Sequence, residues 1–185
     1  EALFRSRGLL KVDLPSVVLN GSGVDVARFD VVPLPAQPVF LLIARLLGDK
    51  GVREYAEAAR AIRALRPDVK FLLVGWIDHN PDAIRQAELD EWIRDEAVVF
   101  LGRMADVRPA IAQASVYVLP SYREGTPRTV LEAMAMGRAI ITTDAPGCRE
   151  TVVDGLNGLL VPVGEVPPLV AAMRDRKSTR LGKEC

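Results

Sequence analysis

Residues 39–74 read VFLLIARLLGDKGVREYAEAARAIRALRPDVKFLLV and decide the fold. The stretch begins and ends with short apolar runs, Val39–Ala44 and Phe71–Val74, which are typical of buried strands. Between them, apolar residues recur at three- and four-residue steps from Val52 to Leu65, the period of a helix with one buried face. A strand, a helix and a second strand in this order predict two parallel strands joined by a crossover helix.

The same alternation continues to the end of the chain. Further strands are predicted at four apolar runs: Val98–Leu101, Val116–Leu119, Ala139–Thr142 and Leu159–Val161. Six strands separated by amphipathic stretches predict an α/β fold, a doubly wound Rossmann-like parallel sheet with helices on both faces.

One later helix has clear start and stop signals. It is predicted from about Pro127 to Met136, because Thr126 can cap its first turn and Gly137 can end it in a left-handed conformation. A shorter helical stretch is predicted from Val166 to Met173.

The composition excludes several classes of protein. The chain has 185 residues, with 24 Lys and Arg against 24 Asp and Glu, and one His. A balanced charge argues against nucleic-acid binding, and no apolar run is long enough for a transmembrane segment. The two cysteines and the single His argue against a disulfide framework or a metal site. We expect a cytoplasmic protein.

The two ends differ in character from the middle. Residues 1–19 are predicted to be the remnant of an interdomain connection or the edge of an N-terminal domain, with a short strand at Ser16–Leu19. Residues 20–174 are predicted to form the Rossmann-like domain, truncated at its C-terminus. Residues 175–185 have no apolar periodicity and are expected to be a non-native or disordered tail.

Ligands of open α/β sheets bind beyond the carboxyl ends of the strands, and the polar segments of interest fall there. These segments are Asn20–Asp25, Arg45–Gly51, Gly102–Met104 and Glu124–Glu132. Arg45 and Lys50 follow one strand and suit a diphosphate, because Arg chelates two oxygens and Lys adds a point charge. The alternative is that both are solvated loop charges.

The chain lacks a Walker or G-x-G-x-x-G loop, which argues against a P-loop NTPase or an NAD-dependent dehydrogenase.

Two glutamates eight residues apart, Glu124 and Glu132, frame the start of the predicted helix at Pro127. One carboxylate can project from the loop and the other from the helix into the same cleft, with free helix-end amides between them. Carboxylates commonly hold pairs of sugar hydroxyls. Glu132 could equally be an ordinary solvated helix residue. His79 is assigned no role, and Cys148 is predicted to be a free structural thiol.

Taken together, these segments resemble the C-terminal donor domain of retaining glycosyltransferases of the GT-B fold, family four. The resemblance covers Asn20 to Val163, and the motifs occur in the family's order. The motifs that carry it are Arg45 with Lys50-Gly51, the run Glu124-Gly-Thr-Pro-Arg-Thr-Val-Leu-Glu132, Asp144-Ala-Pro-Gly147, and Asp154-Gly-Leu-Asn-Gly158.

The resemblance implies a role for each matching position. Arg45 and Lys50 would neutralise the diphosphate leaving group, Glu124 would contact the transferred sugar, and Glu132 would hold the ribose. The remaining donor-binding positions would lie at the base, at the glycine loop and along the helix start: Arg103, Met104, Gly21, Gly23, Gly125, Thr126, Pro127, Arg128, Thr129 and Val130.

The resemblance also implies a substrate class. The run Ser121–Val152 looks most like bacterial N-acetylgalactosamine transferases that act on undecaprenyl-diphosphate-linked sugars. The donor would then be a UDP-sugar, used without a metal or other cofactor, and the acceptor a lipid-linked saccharide or polysaccharide in cell-envelope synthesis. The acceptor-binding N-terminal domain is absent from this sequence, so the chain alone is expected to be inactive. The full-length enzyme would lie in the cytoplasm, peripheral to the inner face of the plasma membrane.

Two alternatives remain at this point. One is an enzyme similar to UDP-N-acetylglucosamine epimerases, which the order of the glycine loop, Arg45/Lys50 and the two glutamates disfavours. The other is a non-catalytic nucleotide-binding or scaffolding module in which the carboxylates are only surface charge.

Overall fold

The computed structural model describes residues 6–8, 21 and 23–175. The strands are β1 (Val39–Leu46), β2 (Lys70–Ile77), β3 (Val99–Gly102), β4 (Val116–Leu119), β5 (Ala139–Thr143) and β6 (Gly158–Val161). The α-helices are α1 (Val52–Arg63), α2 (Gln86–Arg94), α3 (Arg108–Gln113), α4 (Arg128–Ala135) and α5 (Val166–Arg174). The predicted strand at Ser16–Leu19 and nearly all of the predicted tail lie outside the described residues.

The six strands form one sheet in the order β3-β2-β1-β4-β5-β6, with every neighbouring pair parallel. The chain moves outward from β1 to β3, crosses back, and then moves outward from β4 to β6. This is the predicted doubly wound Rossmann-like sheet, and its strand order reverses between β1 and β4. β1 pairs with β2 along its whole length but with β4 only at Phe40 and Leu41. The ladder between the two central strands therefore ends early, and the region beyond it at the carboxyl edge, the switch point of the sheet, is called the crevice below.

The central strands are apolar on both faces because helices cover both sides of the sheet. Every residue of β4 and of β5 is buried. Helix α1 buries the face that its apolar period predicts, including Val52, Tyr55 and Ile62. The Phe71 ring in β2 stacks on Phe40 at 5.0 Å and meets the edge of Tyr55 at 5.8 Å between ring centroids. None of the described helices is long and apolar enough to cross a membrane.

The predicted strand bounds agree with the structure to within three residues, but one capping prediction is wrong. Helix α4 begins at Arg128 with Pro127 as its N-cap, and no side chain caps it. Thr126 does not cap the helix because it lies one residue before the N-cap, and its side chain packs close to Gly21, where an added Cβ would lie 2.6 Å away. Gly137 ends the helix with a φ of 74°, as predicted. The short helices α2 and α3 were not individually predicted.

The segment from Gly21 to Pro38 runs beside α4 from the carboxyl edge of the sheet to its amino edge. Gly21 lies against Thr126 at the start of α4, and Val31 lies against Gly137 at its end. The buried Arg138 donates to the carbonyl oxygen of Val32 at 2.9 Å. This path brings the segment's short 3-10 helix, Val26–Arg28, beside the crevice.

Candidate functional site

The first pair of site residues meets where the loops after β1 and β4 approach each other. Lys50 closes the short 3-10 helix Gly48–Lys50, and its Nζ donates to Glu124 Oε1 at 2.7 Å. Both side chains are largely buried, with 14% and 18% of their surface exposed. A charge-assisted hydrogen bond at this distance, shielded from water, places an acid and a base at the mouth of the crevice in a defined geometry.

Backbone contacts hold this pair in place. The amide of Tyr122 donates to the Asp49 carbonyl at 2.8 Å, and the amide of Glu124 donates to the Pro146 carbonyl at 3.0 Å. Gly147 has a φ of 85°, and a Cβ there would lie 2.2 Å from the Glu124 carbonyl oxygen. Only glycine fits at that position without displacing the loop. The loops after β1, β4 and β5 are therefore bound together around Glu124.

The second glutamate, Glu132, points from α4 into a cavity of about 210 Å³. Its side chain is 10% exposed, and the nearest cation is the Arg128 guanidinium at 3.6 Å, on a side chain that is 66% exposed. Burial raises the pKa of the Glu132 carboxyl, against an opposing effect of Arg128. The interpretation of Glu132 as a solvated helix residue is therefore wrong. The cavity is also lined by Arg28, Phe29, Ala105, Asp106, Val107 and Arg108.

A fully buried tyrosine, Tyr117 of β4, lies at the switch point between β1 and α4. Its hydroxyl contacts the carbonyl oxygen of Ile43 in β1 at 3.1 Å and the hydroxyl of Thr129 in α4 at 2.6 Å. Burial raises the pKa of Tyr117, and the charges of Glu124 and Glu132 raise it further. The phenol therefore links β1 to the first turn of α4, at the point where the ladder between β1 and β4 ends.

Other predicted residues lie apart from this pair. Arg45, near the carboxyl end of β1, donates to Asp78 at 3.0 Å and is about half exposed. Lys50 bonds to Glu124 instead, and within the described residues the two cations share no partner. The guanidinium of Arg103 lies 4.7 Å from the ring centroid of Trp76, while Met104 packs against the core. Asp78 has its pKa lowered by the hydrogen bond from Arg45.

The start of α4 borders a second cavity of about 580 Å³. Gly21, Gly125 and Thr126 line it together with Gly147 and with Leu131, Glu150 and Thr151. Pro127 and Val130 are buried and hold the helix in place, and the exposed Gly23 has open space around it.

The sequence analysis did not identify Asp106 and Arg108, which line the Glu132 cavity. The Arg108 guanidinium donates to the Asp106 carboxylate at 2.7 Å and to the Arg28 carbonyl at 3.2 Å. Their position just after β3, at the same edge as the other motifs, is the signal that could have found them. Cys148 is buried and free, as predicted. Across the part of the chain that the structure describes, no group of three or more potential metal ligands occurs.

A doubly wound parallel sheet with acidic and basic side chains gathered at its carboxyl edge defines a Rossmann-like domain. The chain belongs to the family described as "Glycosyl transferases group 1", whose model matches residues 37–176. It is 41% identical, over 123 residues, to the N,N'-diacetylbacillosaminyl-diphospho-undecaprenol alpha-1,3-N-acetylgalactosaminyltransferase of Campylobacter jejuni. That match covers 66% of this chain and 31% of the relative. The putative glycosyltransferase EpsD of Bacillus subtilis is 29% identical over 89% of this chain and 46% of its own length.

Solved structures support the same assignment. The sucrose-phosphate synthase of Thermosynechococcus elongatus matches with a TM-score of 0.75 and 25% identity, over 99% of this chain and 50% of that one. Anabaena HepE in complex with UDP-glucose matches with a TM-score of 0.73 and 25% identity, over 86% and 49%. The chain thus spans half or less of the length of these four proteins. Membership of a glycosyltransferase family decides against the epimerase.

Proposed function

We propose that this chain is the donor-binding half of a retaining glycosyltransferase that takes a hexose or N-acetylhexosamine from a UDP-sugar. The observation that carries the proposal is the placement of the buried Lys50–Glu124 pair and of the buried Glu132 at the carboxyl edge of the sheet, beside its switch point. A crevice at that point is where open α/β sheets bind nucleotides. The complex of Anabaena HepE with UDP-glucose supports UDP as the nucleotide.

We assign the predicted roles to the observed groups as follows. Glu132 accepts hydrogen bonds from the ribose hydroxyls, because its desolvated carboxylate has no donor from the described protein residues closer than Arg128 at 3.6 Å. Glu124 contacts the transferred sugar while Lys50 neutralises charge on the departing diphosphate. Arg45 joins Lys50 at the diphosphate by exchanging its exposed contact with Asp78 for phosphate oxygens.

Further donor contacts come from loops around the crevice. The backbone of Gly125 to Val130, at the start of α4, faces the phosphates and the sugar, and Arg103 and Met104 lie toward the base. Gly21 and Gly23 border the cleft. With two fixed cations at the leaving group, we propose that transfer needs no metal ion.

The proposed acceptor is a lipid-linked saccharide or a polysaccharide, as the name of the Campylobacter relative suggests. We propose that transfer also requires an N-terminal acceptor-binding domain, and that the complete enzyme works at the inner face of the plasma membrane. Donor binding is the part of the reaction that this chain can perform by itself.

Titration of the chain with UDP and with UDP-N-acetylhexosamines tests the proposal. Calorimetry, together with NMR shifts of residues near Arg45 and Glu132, should show binding at millimolar ligand or below. Glu132→Ala should weaken binding by about 1.5–3 kcal/mol, whereas Glu57→Ala on the exposed face of α1 should leave it unchanged. Absence of any shift at millimolar UDP would favour a non-catalytic scaffolding module.

Transfer is tested separately in a protein that joins this domain to an acceptor-binding domain. With a polyprenyl-diphosphate sugar as acceptor, the product should keep the donor's anomeric configuration, and added chelator should leave the rate unchanged. Inversion of the anomeric centre, or a wild-type rate in Glu124→Ala, would refute the corresponding assignment.

A further inference from the structure

The floor of the crevice contains a buried hydroxyl to which the proposed function assigns no role, that of Tyr117. β1 and β4 pair only at Phe40–Val116 and Leu41–Tyr117, and they then separate. Two residues farther along β1, the carbonyl of Ile43 meets the Tyr117 hydroxyl at 3.1 Å. The phenol thus spans the gap where the ladder between the two strands has ended.

The proton positions in this contact follow from the chemistry of the groups. A carbonyl can only accept, so the Tyr117 hydroxyl donates its single proton to Ile43. The hydroxyl of Thr129, at 2.6 Å, must then donate to the phenol oxygen. Burial and two nearby carboxylates raise the pKa of Tyr117, which keeps the phenol protonated and the direction of both hydrogen bonds unchanged.

We propose that Tyr117 is a positioning residue that sets the width of the donor site. Its chain of two hydrogen bonds joins β1, two residues before Arg45, to the first turn of α4, three residues before Glu132. Tyr117 is fully buried and does not touch the ligand itself. It acts by holding the diphosphate side and the ribose side of the crevice at a fixed separation. This inference rests on the proposed function, because the two sides matter only if one nucleotide spans them.

Tyr117→Phe tests the inference, with Tyr55→Phe as its matched control. Tyr55 is also fully buried and donates to a strand carbonyl, that of Leu72 at 3.0 Å, but its partner lies in β2 rather than across the crevice. Both variants lose one buried hydroxyl and its contact with a strand carbonyl, and Tyr117→Phe also loses the contact with Thr129. A role limited to fold stability would lower the stability of both variants without a selective loss of UDP affinity in Tyr117→Phe.

The first readout needs no ligand. Amide hydrogen exchange at Val130 and Leu131, whose amides bond to the Pro127 carbonyl in the first turn of α4, should accelerate about tenfold in Tyr117→Phe. Amides in β5 serve as the internal reference for overall stability. In Tyr55→Phe, the exchange rate of Val130 and Leu131 divided by that of the β5 amides should equal the wild-type ratio. Equal exchange rates in the two variants would show that the Tyr117 hydroxyl does not hold the start of α4 against β1.

The second readout is UDP affinity measured by calorimetry. Tyr117→Phe should weaken binding about tenfold, a loss of about 1.4 kcal/mol, and Tyr55→Phe less than about twofold. Faster exchange with unchanged UDP affinity would overturn the positioning role. Failure of the wild-type chain to bind UDP would refute the proposed function instead. The exchange rates would still decide whether Tyr117 holds β1 and α4 together.

Discussion

The surroundings of Glu124 and Glu132 differ although the two residues are only eight positions apart and flank the start of the same helix. Glu124 has a buried cation at 2.7 Å and a backbone amide tied to Pro146. Glu132 is more deeply buried, and its nearest cation is an exposed arginine at 3.6 Å. The first carboxylate is satisfied by the protein, whereas the second is desolvated and short of donors, which suits it to receive them from a ligand.

A third glutamate, far from the crevice, shows what donors do to a buried carboxylate. Glu88 in α2 accepts from Arg53 at 2.8 Å and from Arg85 at 2.9 Å, and its pKa is lowered to about 2. Glu132 is buried without such donors, and its pKa is raised. Burial without donors therefore works against folding when the carboxylate is charged. The comparison predicts that neutralising Glu132 lowers UDP affinity without lowering the stability of the fold.

The largest effect is expected from Lys50→Met. The substitution removes a charged donor from the diphosphate and leaves the partly buried Glu124 carboxylate without its cation. We expect UDP affinity to fall about 100-fold and the free energy of unfolding to fall by about 1–3 kcal/mol. Calorimetry and denaturant unfolding measure the two quantities. Lys70→Met, an exposed position at the start of β2, is the control, and equal UDP affinity in the two variants would contradict the assignment.

Glu132→Gln should lower UDP affinity about 30-fold without destabilising the fold. Because the folded-state pKa is raised above 4.5, the stability contributed by this group is present at low pH and is lost as pH rises through the folded pKa. At pH 7 the ionised carboxylate therefore opposes folding, and the neutral amide should give an equal or higher melting temperature. A lower melting temperature at pH 7 would show that Glu132 is already satisfied by the protein.

Gly147→Ala tests the backbone support of Glu124. The new methyl group would lie 2.2 Å from the Glu124 carbonyl oxygen, so the loop must move. We expect unfolding free energy to fall by about 2–3 kcal/mol and UDP affinity to fall about tenfold. Gly155→Ala shares the left-handed backbone, with a φ of 75°, but has nothing within 4 Å. It should lose only about 1 kcal/mol of stability and no affinity, and identical behaviour of the two variants would contradict the prediction.

The smallest effect on binding is expected from Glu88→Gln. Because the pKa of Glu88 is lowered from 4.5 to about 2, its stabilising contribution is present above pH 4.5 and is lost as pH falls toward 2. The variant should lose about 1–2 kcal/mol of unfolding free energy at pH 7, and the difference from wild type should disappear near pH 2. UDP affinity should stay unchanged. A pH-independent difference would show that packing, and not charge, is responsible.

Local patterns predicted most of the fold because they depend on neighbouring residues along the chain. The apolar run of β1 and the three- and four-residue period of α1 each arise from one element packing on one sheet. The alternation of such elements then leaves few topologies, since parallel strands joined by helices wind in one hand. The prediction of a Thr126 cap failed because the helix begins one residue later than predicted, at Arg128, which places Pro127 at the N-cap.

The sequence by itself determined the doubly wound sheet, the strand edge where the polar motifs gather, and the identity of the two glutamates and two cations. Only the tertiary structure decided which charges pair. Lys50 binds Glu124, Arg45 turns to Asp78, and Glu132 is buried beside Asp106. Periodicity shows which face of an element is buried. The energy of a charge depends instead on its distance to other charges and on its exposure to water. Those are set by loops that meet only after the sheet has formed.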